Sequence, residues 1–143
     1  MRAIENEFKK AEHLLFVSLK YTKTGDVIRN VLDRWNSTIE LSIDRLLERA
    51  KKKKKIKVVP VPPVAKAELL LKLHKETFIK EIVKLYLFFR RLDSLEKTSQ
   101  SEFRKRVALK IIDNGREVLV DMDKLFEWRE KVENFLEFVR EKG

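Results

Sequence analysis

Residues 27–49 read VIRNVLDRWNSTIELSIDRLLER and carry the most regular apolar pattern in the chain. The apolar side chains follow one another at steps of three or four residues: Ile28, Leu32, Trp35, Ile39, Ile43 and Leu46. This spacing places them along one face of an α-helix. The stretch therefore predicts a long amphipathic helix whose apolar face lies against a core.

The segment before this stretch predicts a second helix of the same kind. Between residues 3 and 23, apolar side chains again recur at steps of three or four residues: Ile4, Phe8, Ala11, Leu15 and Leu19. Thr24-Gly25-Asp26 follows, in which the glycine is suited to ending one helix and the aspartate to capping the next. We therefore expect two antiparallel helices joined by a tight turn.

Two further helices are predicted in the C-terminal half. One runs from about Val64 to Leu95 and is apolar on more than one side, which is typical of a central helix with several neighbours. Its adjacent Phe88 and Phe89 cannot face the same direction, so one of them is expected to be exposed for a partner. The other helix runs from about Met122 to Glu141. The predicted fold class is mainly α, an up-down antiparallel bundle of four to five helices in a single domain over residues 1–143.

The segment between those two helices carries two turn signals. Ser99-Gln100-Ser101-Glu102 has the pattern of a capping box, which predicts a helical segment that opens at Ser99. Over about 107–120, apolar residues alternate on either side of Asn114-Gly115, the strongest short-range signal of a β-hairpin. In that interpretation Asp121 caps the last helix. Asn-Gly ends a helix equally well, so a hairpin and a helix both stay open here.

A basic, proline-rich segment at 51–63, KKKKKIKVVPVPP, interrupts the helical pattern and predicts a linker inside the domain. The formal net charge of the chain is +10, and a large part of it comes from one run: Lys51, Lys52, Lys53, Lys54, Lys55 and Lys57. A lysine cluster attracts phosphates by counterion release and so binds RNA or DNA without regard to sequence. The run is also explained as a solvated helix end, where lysines complement the helix dipole. It holds no aromatic residue for base stacking.

The composition excludes several classes of protein. The chain has no cysteine, which excludes disulfide scaffolds, thiolate nucleophiles and Cys-based metal sites. No phosphate-loop, dinucleotide-binding or zinc-protease motif occurs. The longest uncharged stretch, Val58 to Ala65, is too short to span a membrane, and the charges within residues 1–20 are unlike a signal peptide. We therefore expect a cytoplasmic protein with no membrane partner, and its charge-rich composition follows the trend of thermophile proteins.

Few side chains are candidates for catalysis or metal binding. His13 and His74 are the only histidines, and His74 lies among apolar residues, where a structural role in the core competes with that of an acid or base. Three carboxylates beside the apolar face of residues 27–49 are expected to form ion pairs with nearby arginines: Asp33, Glu40 and Asp44 with Arg29, Arg34 and Arg45. The sequence predicts no catalytic residue, no metal site and no cofactor.

Several stretches in the first third of the chain share a pattern with a known superfamily: Ala11-Glu12-His13-Leu14-Leu15, Tyr21, Thr24-Gly25-Asp26, and Trp35 to Leu47. They resemble the first helical pair of the HEPN superfamily, the higher-eukaryote and prokaryote nucleotide-binding helical bundles. The resemblance implies a bundle of four or five helices, usually dimeric, that acts as an RNA-cleaving toxin or as the partner of a minimal nucleotidyltransferase. Nuclease members carry an arginine upstream of a histidine, with four to six residues between them, and Asn6 to Phe8 and Ala67 to Leu69 stand at those positions here. The resemblance is therefore to a non-nuclease member.

These observations rank three functional hypotheses. The leading one is a non-catalytic, dimeric helical-bundle protein that binds a protein or nucleic-acid partner, with a minimal nucleotidyltransferase as one such partner. The homodimer is expected to form through the third or the last helix. The first alternative is sequence-independent binding of RNA or DNA through Lys51 to Lys57. The second is a HEPN-type ribonuclease that lacks the usual arginine and histidine motif.

Overall fold

A computed structural model describes residues 1–143, which form five helices and one three-stranded antiparallel sheet. The first helix, α1, covers residues 2–21 and includes a π-helical stretch at Leu14–Ser18. The others are α2 at Gly25–Lys52, α3 at Pro63–Leu73, α4 at Thr77–Arg91 and α5 at Met122–Lys142. The strands are β1 at Glu96–Gln100, β2 at Ala108–Asp113 and β3 at Arg116–Val120, in the order β1-β2-β3.

The prediction of a mainly helical protein is confirmed. None of the helices combines the length and the apolar character needed to cross a membrane.

Helix α2 is the centre of the fold. It contacts the other four helices as well as β1 and β2, and every residue of its predicted apolar face is buried. The helix begins at Gly25, where the Thr24 hydroxyl oxygen accepts a hydrogen bond from the backbone N–H of Val27 at 3.3 Å. Thr24 is therefore the N-cap, and the expectation that Asp26 caps this helix is wrong because Asp26 already lies in the first turn.

Ion pairs fix the direction of α1 against its neighbours. Only residues 22–24 join α1 to α2, and Glu7 of α1 contacts Arg34 of α2 at 3.4 Å between Oε2 and Nη1, so α2 runs back along α1 in the antiparallel direction. On its other side, α1 is antiparallel to α5. There the Arg129 guanidinium donates to both carboxylate oxygens of Glu12, at 2.6 and 2.8 Å, and Arg140 donates in the same way to Glu5. In a bidentate pair of this kind, the two hydrogen bonds orient both side chains as well as bringing opposite charges together.

The predicted helix from Val64 to Leu95 is wrong as one element, because His74 to Glu76 are not helical and separate α3 from α4. His74 is extended, with φ −130° and ψ 122°. A segment that is apolar on more than one side cannot bury every side against a single neighbour. The break lets the two parts bury their apolar sides against different neighbours, since α3 packs on α2 while α4 packs against both α2 and α5.

Both Phe88 and Phe89 are buried, with 8% and 3% of their surface exposed, so the expectation that one of them faces a partner is wrong. Phe89 lies between Trp35 of α2, with ring centroids 6.4 Å apart, and Trp128 of α5, at 5.6 Å. Phe88 packs on the same Trp128 at 6.0 Å. Two adjacent phenylalanines are both buried because α4 has a neighbour on each side.

The capping box at Ser99 to Glu102 does not open a helix, so that prediction is wrong. Ser99 lies in β1, paired with Leu109 of β2. The Glu102 carboxylate instead accepts a hydrogen bond from the backbone N–H of Gly25, at 3.0 Å. A carboxylate at a helix N-terminus satisfies an unpaired donor and complements the helix dipole. Glu102 is therefore a capping residue, but of α2, which lies far from it in the sequence.

The β-hairpin at 107–120 is confirmed, and the helical alternative is wrong. Strands β2 and β3 pair antiparallel with Asp113 opposite Arg116. Asn114 and Gly115 both have positive φ, 53° and 77°, as the tight two-residue turn of a hairpin requires. Asp121 caps α5 as expected, because its carboxylate accepts from the backbone N–H of Lys124 at 2.8 Å.

Candidate nucleic-acid interface

The predicted lysine run forms the C-terminal end of α2 and the turn that follows it. Lys51 and Lys52 lie in the last helical turn, and all six lysines of the run are exposed. The backbone N–H of Lys55 donates to the carbonyl of Ala50 at 2.9 Å, and that of Lys54 to the carbonyl of Lys51 at 3.0 Å. These two bonds form a Schellman motif, a hydrogen-bonded helix end. The lysines immediately after α2 are therefore held in a fixed turn.

This turn places two of the lysines over a small cleft of about 60 Å³. Lys53 and Lys55 share its lining with Arg49 of α2, with Lys142 near the end of α5, and with His74 just after α3. Three apolar side chains form the rest: Leu46, Ala50 and Leu73. The lining holds four permanent cations and no carboxylate. We call this site the basic cleft.

His74 is the only imidazole in the lining of the basic cleft. It is half-buried, with its ring packed edge-on against Phe138 at 5.1 Å. Burial lowers the pKa of His74 from its ordinary 6.5, and the charges of Lys55 and Lys142 lower that pKa further, whereas Glu76 raises it. The lowered pKa disfavours the charged imidazolium, whereas a bound anion would favour its protonation. His74 therefore packs against Phe138, as a structural role requires, and also lines the basic cleft.

The remaining lysines of the run lie outside the lining of the cleft: Lys51, Lys52, Lys54 and Lys57. Ile56 and Val59, in the segment between α2 and α3, pack against the hydrophobic core. This segment is thus anchored on both sides of Lys57. The structure brings together Lys53 and Lys55 at one site and leaves the other four exposed and outside its lining.

Lys54 occupies a position that favours glycine, since its φ is 61°. A side chain in this left-handed region is costly, on the order of 1 kcal/mol. Lys54→Gly is therefore expected to raise the free energy of unfolding by about 1 kcal/mol while removing one exposed charge. Urea unfolding followed by circular dichroism measures the change. Lys52→Gly, in the last turn of α2, is the control and is expected to lower the free energy of unfolding; a lower value for Lys54→Gly as well would contradict this prediction.

A larger groove, of about 410 Å³, lies between α4, α5 and the β2–β3 hairpin. Its lining contains four cations, Lys84, Arg91, Arg116 and Lys131, but also two carboxylates. Arg91 contacts Asp113 at 2.5 Å, and Lys131 contacts Glu81 at 3.8 Å. Half of the cations are thus compensated within the groove, whereas no cation of the basic cleft has a carboxylate in the lining. The basic cleft is the stronger site for an anion.

Two of the three carboxylates beside the α2 face form ion pairs, but with partners other than those expected. Asp44 contacts Lys66 of α3 at 2.7 Å, and Glu40 contacts Arg90 of α4 at 3.7 Å while accepting a hydrogen bond from the Tyr86 hydroxyl at 3.2 Å. Asp33 makes no ion pair, and burial raises its pKa. These pairs join helices, so they are structural. No three histidine, aspartate or glutamate side chains lie close enough together to hold a metal ion.

Sequence reasoning found Lys53 and Lys55 but missed the other polar residues of the basic cleft. Arg49 and Lys142 lie near the ends of two helices that are far apart in the sequence. Cations are common in the last turn of a helix, and this was the one available signal. The presence of a cation in a last turn does not indicate which helix ends lie next to each other in the fold.

Comparison of the chain with protein-family models, with curated proteins and with solved structures finds no match. The resemblance of residues 11–47 to the HEPN superfamily stays a prediction.

Proposed function

We propose that this protein is a non-catalytic, cytoplasmic protein that binds RNA or DNA without regard to sequence, through phosphate contacts at the C-terminal end of α2. One observation carries the proposal. Arg49, Lys53, Lys55 and Lys142 converge on a single cleft whose lining contains no carboxylate. Uncompensated cations that converge on one point bind a phosphate group, and each such contact releases a counterion.

The exposed lysines around the cleft extend this contact surface. Lys51, Lys52, Lys54 and Lys57 are exposed and lie within two residues of Lys53 or Lys55, so a phosphate backbone bound at the cleft would meet further cations beside it. Lysine contacts phosphate as a point charge and does not read bases. The surface therefore favours affinity that depends on salt and not on sequence.

The test is a salt titration of the wild-type protein with a fluorescently labelled 20-base-pair duplex, followed by anisotropy. The logarithm of the association constant is expected to fall linearly with the logarithm of the salt concentration. Phosphate contacts by the four cations of the cleft and by the four lysines outside its lining would together give a slope of about −7. A scrambled duplex of the same length is the control and is expected to bind equally well. Absence of binding at low salt, or an affinity that does not change with salt, would overturn the proposal.

We propose the finer architecture as well: an up-down, HEPN-like bundle of the non-nuclease kind that forms a homodimer. The antiparallel pairs α1–α2 and α1–α5 support the up-down arrangement. Phe16 of α1 and Phe126 of α5 support the dimer, because they lie 5.9 Å apart between ring centroids and have 45% and 43% of their surface exposed. Such an apolar pair fits a second copy of the chain or a protein partner such as a minimal nucleotidyltransferase. A monomer mass by light scattering at high protein concentration would contradict the homodimer.

A further inference from the structure

The loop between β1 and β2 carries an exposed aromatic side chain followed by three cations. Residues 101–106 read SEFRKR, and all six are exposed. The Phe103 side chain has 75% of its surface in solvent. Arg104, Lys105 and Arg106 follow it directly and form no ion pair. Sequence analysis missed this loop because its residues were assigned to a helix.

The backbone of this loop is unusual. Phe103 has a φ of 65° and Ser101 a φ of 51°, values in the left-handed region that a bulky residue rarely adopts. Such a conformation persists only where the surrounding structure imposes it, and strained residues of this kind cluster at binding sites. The Phe103 ring lies mostly in solvent, so burial of the ring does not offset the cost of this backbone conformation.

Contacts with the start of α2 impose that conformation. The backbone N–H of Phe103 donates to the carbonyl of Lys23 at 2.6 Å, and the Glu102 carboxylate accepts from the N–H of Gly25 at 3.0 Å. A Cβ atom on Gly25 would lie 2.9 Å from the Ser99 Cβ atom, which is too close. The glycine therefore lets β1 approach α2 closely enough for these contacts. These contacts hold the loop against the start of α2 and leave the Phe103 side chain exposed.

The charge around Phe103 is positive. Glu102, the only acid of residues 101–106, is directed at the N-terminus of α2. Lys105 and Arg106 line one side of a recess of about 490 Å³, with Asp121 and Asp123 also in its lining. Asp121 is engaged in capping α5, so Asp123 is the one carboxylate there without a described hydrogen-bond partner. The loop itself is positive, with three cations against the single carboxylate of Glu102 in residues 101–106, although the lining of the recess balances two cations with two carboxylates.

We propose that this loop is a second nucleic-acid contact, in which an unpaired base stacks on Phe103 and the adjacent phosphates contact Arg104, Lys105 and Arg106. This inference rests on the proposed function and adds to it that single strands are the preferred target. An aromatic ring stacks on any base whose face is free. In a duplex those faces are covered by the neighbouring base pairs, so the loop offers a duplex only its cations.

The test compares a labelled 20-nucleotide single strand with a 20-base-pair duplex, using wild-type protein, Phe103→Ala and Phe103→Trp. Phe103→Ala is expected to weaken single-strand binding about tenfold and to leave duplex binding unchanged. Phe103→Trp is expected to bind the single strand at least as well as wild type. Phe103→Leu keeps an apolar side chain but removes the aromatic face and is the matched control; it is expected to weaken single-strand binding as Phe103→Ala does.

Several outcomes would overturn the inference. These are unchanged single-strand binding by Phe103→Ala, an equal loss for single strand and duplex, or equal wild-type affinity for both. An exposed phenylalanine beside cations also suits an anionic membrane surface. A loss of binding to phosphatidylserine vesicles on Phe103→Ala, with single-strand affinity unchanged, would assign the loop to lipid instead. If wild type binds the duplex but shows none of these Phe103 effects, the proposed function stands without the inference; if it binds neither nucleic acid, both fail.

Discussion

Replacing Lys51 to Lys55 and Lys57 together with glutamine is expected to lower the affinity for a 20-base-pair duplex by about a hundredfold to a thousandfold at low salt. Each lysine that contacts a phosphate contributes about 0.9 to the slope of log affinity against log salt. The slope is therefore expected to become flatter by about 5 if all six make such contacts. Arg49 and Lys142 stay in place in this variant, so weak residual binding is expected.

The matched control replaces the same six lysines with arginine, which keeps the charge. It is expected to bind duplex as wild type does, with an unchanged salt slope. All six side chains are exposed, so neither variant is expected to disturb the core, and thermal unfolding by circular dichroism checks this. Wild-type affinity in the glutamine variant would show that the lysine run is only a solvated helix end.

Trp35→Ala is expected to lower the free energy of unfolding by about 3–5 kcal/mol, the usual cost of removing a large buried aromatic side chain. Trp35 has none of its surface exposed and stacks on Phe89, which in turn packs on Trp128. These three rings join α2, α4 and α5. The cavity left by the substitution therefore lies where three helices meet and cannot close by moving one of them. Urea unfolding measures the loss.

Trp35→Phe separates ring packing from hydrogen bonding at the same position. The Trp35 indole N–H is buried and has no hydrogen-bond partner, so the phenylalanine variant loses volume but no hydrogen bond. Its expected cost is about 1–3 kcal/mol, below that of Trp35→Ala because less buried volume is lost. A cost as large as that of Trp35→Ala would contradict this prediction.

The parts of the fold that were predictable are those that local sequence determines. The α2 face repeats one spacing from Ile28 to Leu46, and a single buried face suffices to set that pattern. The hairpin was predictable from Asn114-Gly115, because that turn needs two residues of positive φ. Strand β1 was not predictable, since four of its five residues are exposed and it shows no apolar alternation. Strand β1 forms because it pairs with β2.

The candidate site shows the same division. Lys53 and Lys55 stand out in any inspection of the sequence, whereas His74 and Lys142 join them only through the meeting of α2, α3 and α5. Glu102 is the clearest case. Its capping pattern is real, but the helix that it caps begins at Gly25, and no local rule connects residues so distant along the chain. The Phe103 loop was hidden by the same misassignment.

The length of α2 has a consequence for how long a bound nucleic acid must be. Its 28 residues span about 42 Å at 1.5 Å per residue, with the Phe103 loop held at one end and the lysine run at the other. That distance corresponds to about 12 base pairs of a duplex at 3.4 Å per pair. An oligonucleotide shorter than this can occupy only one end at a time, while a longer one can occupy both and gains avidity from the second, intramolecular contact. We therefore expect the affinity for a duplex to rise in a step as its length passes about 12 base pairs.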